Sequence, residues 1–282
     1  MKIFELNHDR VLYLLPDRNP LGHKGNFGKL LLLCGSRGFT GAAYLAAMGA
    51  LRAGAGLVFL GVPESIYAIE AVKLNEAIVF PLPDRDGMLH EAAMEEIEKR
   101  LPGMDAVLIG CGLGQSQGTG EVVLRLLEQA RCPVVLDADG INLISGHRHV
   151  LRGRAAPTIL TPHGGEFARL GYSIGESRME AAMQAARELN CVMVLKGHES
   201  CITDGERQYI NPTGNPGMAV GGSGDLLSGI IVSLLGQGLA PLEAAACACW
   251  LHGAAGDRCA ASLGQYGMLP SDMLEVLPRL MK

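Results

Sequence analysis

A single aspartate, Asp225, closes the stretch N-P-G-M-A-V-G-G-S-G-D and is followed at once by the apolar run L-L-S-G-I-I-V-S-L-L. Five glycines crowd between Gly214 and Gly224. Glycine costs backbone entropy on folding, so such a run marks a chain that must coil tightly. Coiled ahead of a helix, Gly222, Ser223 and Gly224 can aim their N–H groups at one point. That point is also the positive end of the helix dipole, which makes it an anion site. Asp225 falls in the first turn beside it, where a lone aspartate ordinarily serves as a cap. With a phosphoryl group held by the amides, the same carboxylate can accept a proton from an attacking hydroxyl. An ordinary aspartate, with a pKa near ~3.9, is a weak base. A weak base suits a loose phosphoryl transfer, in which positioning does most of the work.

Other phosphate-binding and catalytic patterns are excluded. No G-x-x-x-x-G-K-[ST] or H-E-x-x-H occurs, and Gly110-Cys111-Gly112-Leu113-Gly114 lacks the G-x-G-x-x-G spacing. The last segment still follows a strand pattern, and its glycines admit close approach of a ligand.

Positioning these residues requires alternating strands and helices. Short apolar runs at Lys29–Cys34, Leu57–Val62, Ala106–Ile109, Pro133–Leu136, Thr158–Leu160 and Cys191–Leu195 read as strands buried on both faces. Helical patterns at Gly41–Ala53, Glu91–Leu101, Glu121–Ala130 and Arg178–Leu189 lie among them. The alternation predicts a three-layer α/β/α sandwich with a mostly parallel central sheet. Cys201–Asp204 and Arg207–Asn211 predict an antiparallel hairpin on the sheet edge. Apolar helices are expected at Asp225–Leu235 and Leu242–Ala261, the second rich in Ala and Gly. No repeat or linker interrupts the chain, so residues 1–282 read as one domain.

The bulk composition agrees. Of 282 residues, 48% are hydrophobic and 19% charged, which supports a large core. A net charge of −5, with Lys and Arg scattered, argues against nucleic acid as the main partner. The N-terminal segment lacks an apolar signal-peptide core, and no run is long enough to span a membrane. The eight cysteines include no C-x-x-C pair and read as inert buried thiols in a reducing cytoplasm.

Taken together, N-P-G-M-A-V-G-G-S-G-D, H-K-G-N-F-G-K (23–29), G-F-T-G-A-A (38–43), A-L-R-A-G-A-G-L-V (50–58), G-C-G-L-G (110–114), L-D-A-D-G (136–140), T-P-H-G-G-E (161–166) and K-G-H-E-S (196–200) resemble, in order and spacing, the ribokinase-like ADP-dependent NAD(P)H-hydrate dehydratases. The resemblance implies a ribokinase-like fold and repair of the S-epimer of hydrated NADH or NADPH, with ADP converted to AMP and phosphate. Asp225 would be the catalytic residue and would touch the substrate. Ala42, Gly112, Gly114 and His163 fall on substrate-contacting positions. Lys196, Gly197, His198, Glu199, Ser200 and Gly224 fall on nucleotide-contacting ones. Gly222, Ser223 and Gly224, with Mg2+, would hold the developing charge. Glu166 would order Mg2+ through water, with Asp137 and Asp139 as competing candidates. Either acid could equally cap a helix, and His163 could be structural.

Further implications are a cytoplasmic homo-oligomer, with a tetramer favoured, and reliance on an epimerase carried by a separate polypeptide, since this chain begins at the dehydratase. Cys34 and Asn26 depart slightly from the family pattern without touching the chemistry. Neither ADP over ATP nor NADH hydrate over NADPH hydrate is fixed. Two alternatives remain: a hydroxyl kinase of the hydroxyethylthiazole kinase type, and a nucleotide sensor without turnover.

Overall fold

The computed structural model describes residues 3–282. Its frame is a ten-stranded sheet, which runs from one edge as Ile3–Glu5, Gln208–Ile210, Cys201–Thr203, Val192–Leu195, Thr158–Leu160, Val134–Leu136, Ala106–Ile109, Lys29–Leu33, Leu57–Pro63 and Ile78–Leu82. Every neighbouring pair is parallel except the two made by Cys201–Thr203. The expected α/β/α sandwich with a mostly parallel sheet is therefore what forms.

Strand alternation sorts the apolar side chains into two cores. Leu30 and Leu32 face one side with Ala46, Ile230, Leu251 and Leu277, while Leu31 and Leu33 face the other with Ile97, Leu126 and Ala185. The central strands, such as Lys29–Leu33, Ala106–Ile109, Val134–Leu136 and Val192–Leu195, are apolar on both faces because helices cover both. The first layer contains the helices Thr40–Arg52, Ser223–Gly236, Pro241–Leu263 and Pro270–Leu280, and the second Ala93–Arg100, Gln117–Gln129 and Arg178–Leu189.

The expected elements form with shifted ends. Helix Gln117–Gln129 starts four residues ahead of the apolar pattern because the Ser116 side chain caps it, accepting from Thr119 N. The hairpin at 201–210 forms, but it is not the edge. Ile3–Glu5 pairs in parallel with Gln208–Ile210 and covers it. Strand Ile78–Leu82 carries Pro81, which argues against a central strand, and it occupies the opposite edge, where a missing N–H is tolerated. Beside that strand a two-stranded ribbon, Asp84–Arg85 with Met88–Leu89, folds back over the sheet's end.

Candidate active site

The acids and the lysine singled out by sequence converge where the parallel strands end, the usual ligand-binding rim of such sheets. Asp137 follows Val134–Leu136, Thr161 follows Thr158–Leu160, and Lys196 follows Val192–Leu195. Ala138 stands at φ +47° and ψ −115°, a conformation that costs a non-glycine residue about 1–3 kcal/mol. The turn it makes sends Asp137 into the interior and Asp139 towards the neighbouring loop.

Asp137 is almost fully buried. Its Oδ1 accepts from Lys196 Nζ at 2.8 Å and Thr161 Oγ1 at 2.7 Å, and its Oδ2 accepts from Ser228 Oγ at 2.8 Å. Burial opposes the charge, but the Lys196 ammonium and the two hydroxyls outweigh it and hold the carboxyl below its ordinary range. Lys196 is likewise opposed by burial and kept protonated by Asp137 and Glu166, whose Oε2 lies 3.8 Å away.

Asp225 is the contrasting acid. Burial, and then the charge of Asp137, push its carboxyl up to about 6, against the smaller pull of the Cys111 thiol and Lys196. The weak-base expectation is thus corrected. Asp225 stays largely ionised at neutral pH and holds a proton more readily than an ordinary aspartate. The rise has a geometric source: ligating atoms of Cys111, Asp137 and Asp225 all lie within 4.8 Å of one another.

The glycine loop has the expected shape. Gly222 caps helix Ser223–Gly236 at φ +94°, a left-handed conformation that side chains resist. Among the described residues the amides of Gly222, Gly224 and Asp225 have no acceptor. The Ser223 amide donates to Val220 O at 3.3 Å, so its contribution to an anion site is corrected from amide to hydroxyl. A side chain at Gly224 would stand with its Cβ 3.3 Å from Lys196 Nζ, so glycine leaves that cation facing the loop.

The remaining positions fall into two groups around this centre. Ala42 and Gly112 touch so closely that a Cβ at Gly112 would lie 2.7 Å from that of Ala42. Gly114 packs beside Met88 of the ribbon. On the other side, Lys196, Gly197, His198, Glu199 and Ser200 form a tight loop: Ser200 Oγ donates to Gly197 O at 3.1 Å, Glu199 sits at φ +52°, and Arg178 braces Lys196 O at 3.0 Å. His163 caps the helix Gly164–Arg169, its Nδ1 accepting from Gly165 N at 3.0 Å. That bond leaves Nε2–H to face Glu166 Oε1 at 3.3 Å. Unforeseen from sequence were Thr161 and Ser228 as Asp137 ligands, Cys111 beside it, and the buried His252. Ser228 alone left a signal, as a hydroxyl one turn from Asp225 on an apolar helix.

Of the three acids weighed for Mg2+, Asp139 clamps the neighbouring loop, accepting from Gly114 N at 2.9 Å and Gln115 Nε2 at 2.8 Å. Asp137 is occupied by four donors, Lys196, Thr161, Ser228 and, at 3.7 Å, the Cys111 thiol. Glu166 has one oxygen bonded to His163 N at 2.8 Å and the other near the exposed His163 ring. Glu166 and Asp139 each have one close partner on either oxygen and keep lone pairs that a water on Mg2+ could reach, in line with the ion's habit of keeping its waters. The Cys111 thiol is too soft a donor for Mg2+.

Charge at the opposite end of the sheet is handled differently. Arg154, ahead of strand Thr158–Leu160, is buried against the carbonyls of Leu127, Ala130 and Cys132, with Thr158 Oγ1 at 2.9 Å. A cavity of about 270 Å³ beside it is lined by Asn190, Asp204 and Arg207 among others, the last two joined in an ion pair at 2.9 Å.

A sequence profile of NAD(P)H-hydrate dehydratases matches residues 30–279. The chain belongs to the NAD(P)H-hydrate dehydratase family. Among its relatives is a bifunctional NAD(P)H-hydrate repair enzyme of Moorella thermoacetica, 45% identical over 95% of this chain and 52% of the relative. An ADP-dependent (S)-NAD(P)H-hydrate dehydratase of Bacillus subtilis is 36% identical over 97% of this chain and 96% of its own length. The chain thus spans about half the length of the bifunctional relatives and nearly all of the Bacillus one. The crystal structure of a Bacillus subtilis ADP/ATP-dependent NAD(P)H-hydrate dehydratase, co-crystallised with ATP and Mg2+, superposes with a TM-score of 0.85 at 33% identity over 99% of this chain and 98% of that one. A hydroxyethylthiazole kinase of Pyrococcus horikoshii, at 20% identity and a TM-score of 0.63, shares the family's fold.

Proposed function

We propose that this chain is an ADP-dependent (S)-NAD(P)H-hydrate dehydratase. The observation that carries the reading is Asp225, a carboxylate pushed up to about 6 and set in the first turn of a helix beside the open amides of Gly222 and Gly224. Asp225 takes the proton of the hydrated ring's hydroxyl as that oxygen attacks the terminal phosphoryl group of ADP, and AMP leaves. Phosphate then departs from the ring carbon with its bonding pair, driven by the ring nitrogen's lone pair. Loss of a proton from the adjacent carbon restores the double bond. Hydroxide is a poor leaving group and phosphate a good one, so the transfer turns one difficult elimination into two easier steps.

The amides and Lys196 stabilise charge on the transferred group in a partly dry pocket, where such contacts act most strongly. Bound through water at Glu166, Mg2+ would supply further neutralisation of the nucleotide's phosphates. Ala42, Gly112 and Gly114 line the side assigned to the dinucleotide, which His163 would reach from its place beside Glu166. The loop Lys196–Ser200 with Gly224 lines that assigned to the nucleotide, ADP or ATP. The reading includes a homotetramer, a companion epimerase that supplies the S form, and a reducing cytoplasmic setting suited to eight unpaired cysteines. Among the described residues no helix is long and apolar enough to cross a membrane.

Absorbance at 340 nm tests this directly. Hydrated NADH does not absorb there and NADH does, so a rise is expected with hydrate, Mg2+ and ADP or ATP together, and none when nucleotide is omitted. A stable phosphate ester with no absorbance rise would instead establish the hydroxyl kinase. Nucleotide binding without any turnover would establish the sensor.

A further inference from the structure

One buried titratable side chain near the site has no role in the chemistry above. His252 lies in the middle of helix Pro241–Leu263 and is 8% exposed. Its Nε2 is 3.3 Å from Ser223 Oγ, across 29 residues of sequence. Burial pulls the imidazole down to about 4, so the ring is neutral at working pH and carries one N–H.

The helix around His252 is a template for the whole glycine loop. Trp250 O accepts from Thr213 Oγ1 at 3.0 Å, and Cys249 O from Asn211 Nδ2 at 3.2 Å. Asp257 accepts from Gly214 N at 2.9 Å and Asn215 Nδ2 at 3.0 Å. Gly253 and Gly256 lie directly against Thr213 and Met218, leaving no room for a Cβ at either position. His252 is the one member of this face that reaches past the loop to Ser223.

The Ser223 amide is already committed to Val220, so the residue can serve an anion only through its hydroxyl. A hydroxyl has one proton to give. If the ring accepted that proton, none would remain for a ligand. If Nε2–H donates to Oγ, the Ser223 proton is left to point into the loop. We infer that His252 is a positioning residue that donates Nε2–H to Ser223 Oγ and thereby directs the Ser223 hydroxyl at the phosphoryl group. The inference rests on the reading of this loop as the phosphoryl-transfer site.

A double-mutant cycle tests it, with turnover of hydrated NADH and calorimetric affinity for ADP as separate readouts. Ser223→Ala should lower kcat by about 10-fold or more, as loss of a donor to developing charge does, with KM for the hydrate changed less than about threefold. His252→Leu should match it, and the double variant should be no worse than either single one. His252→Gln, whose amide N–H can replace Nε2–H, should recover activity to within about threefold of wild type. The ADP affinities should show the same non-additivity, which keeps the test decisive even if the wild type does not dehydrate the hydrate. Losses that multiply in the double variant, or a Gln variant as poor as Leu, would mean that His252 only packs, and would overturn the inference. Should the Leu variant fail to fold, the Gln and Ala variants and their combination carry the same test.

Discussion

The sheet buries a cation at each end, and the two are satisfied in opposite ways. Arg154 is surrounded by neutral carbonyls and a threonine hydroxyl. Lys196 is held by two carboxylates, with a third, Asp225, close to Asp137. Carbonyls satisfy a guanidinium completely and leave nothing reactive behind. Packing like charges beside one cation does the reverse. The lysine settles Asp137 and leaves Asp225 in the residual field with a raised affinity for protons. A satisfied buried charge is structural, and an over-subscribed one is poised for chemistry.

The largest expected effect belongs to Asp225→Asn. Turnover should fall on the order of 10²–10⁴, as loss of a positioned proton acceptor gives, with ADP affinity nearly unchanged because the loop amides remain. The same variant should be more stable than wild type at pH 7. A carboxyl raised from 3.8 to about 6 binds protons more tightly in the folded than in the unfolded state. Wild-type stability therefore declines as pH rises through that window, and Asn removes a penalty on the order of 1–3 kcal/mol. Wild-type kcat/KM should fall about tenfold per unit below pH 6, as the base is protonated. A mutant within a few-fold of wild type, or a profile flat from pH 5 to 8, removes Asp225 from the mechanism.

Next comes Lys196→Met, which leaves Asp137 charged and buried without its cation. Urea denaturation should show a loss of about 3–5 kcal/mol, much of it recovered in the double variant Asp137→Asn with Lys196→Met. Equal losses in the single and double variants would dissolve the contrast between paired and over-subscribed charge. The smallest effect is expected at the other end. Arg154→Met strips donors from carbonyls that remain buried and should cost about 1–3 kcal/mol, with kcat within twofold of wild type. A large drop in kcat there would mean that the two ends are coupled.

The sequence made Asp225 and its glycines conspicuous because helix start, anion loop and acid are all local features. The strand ends that carry Asp137, Thr161 and Lys196 were also legible, since each follows an apolar run. Their convergence was not, because the Lys196–Asp137 bond spans 59 residues and depends on strand order. The raised proton affinity of Asp225 is collective, set by burial and by Asp137, and no single segment encodes it. His252 was hidden in an alanine-rich helix, where its neighbours signal packing. The edge strand Ile3–Glu5 was missed because three residues carry no periodicity.

That short strand bears on how the chain is made. Its partner, Gln208–Ile210, leaves the ribosome more than two hundred residues after it. This strand therefore waits for one made long after it, and its docking closes a loop of more than two hundred residues. Such closures are slow, because chain entropy is lost before the contact returns anything. Until then the hairpin at 201–210 presents an unpaired rim, the feature that nascent chains most need to hide from one another.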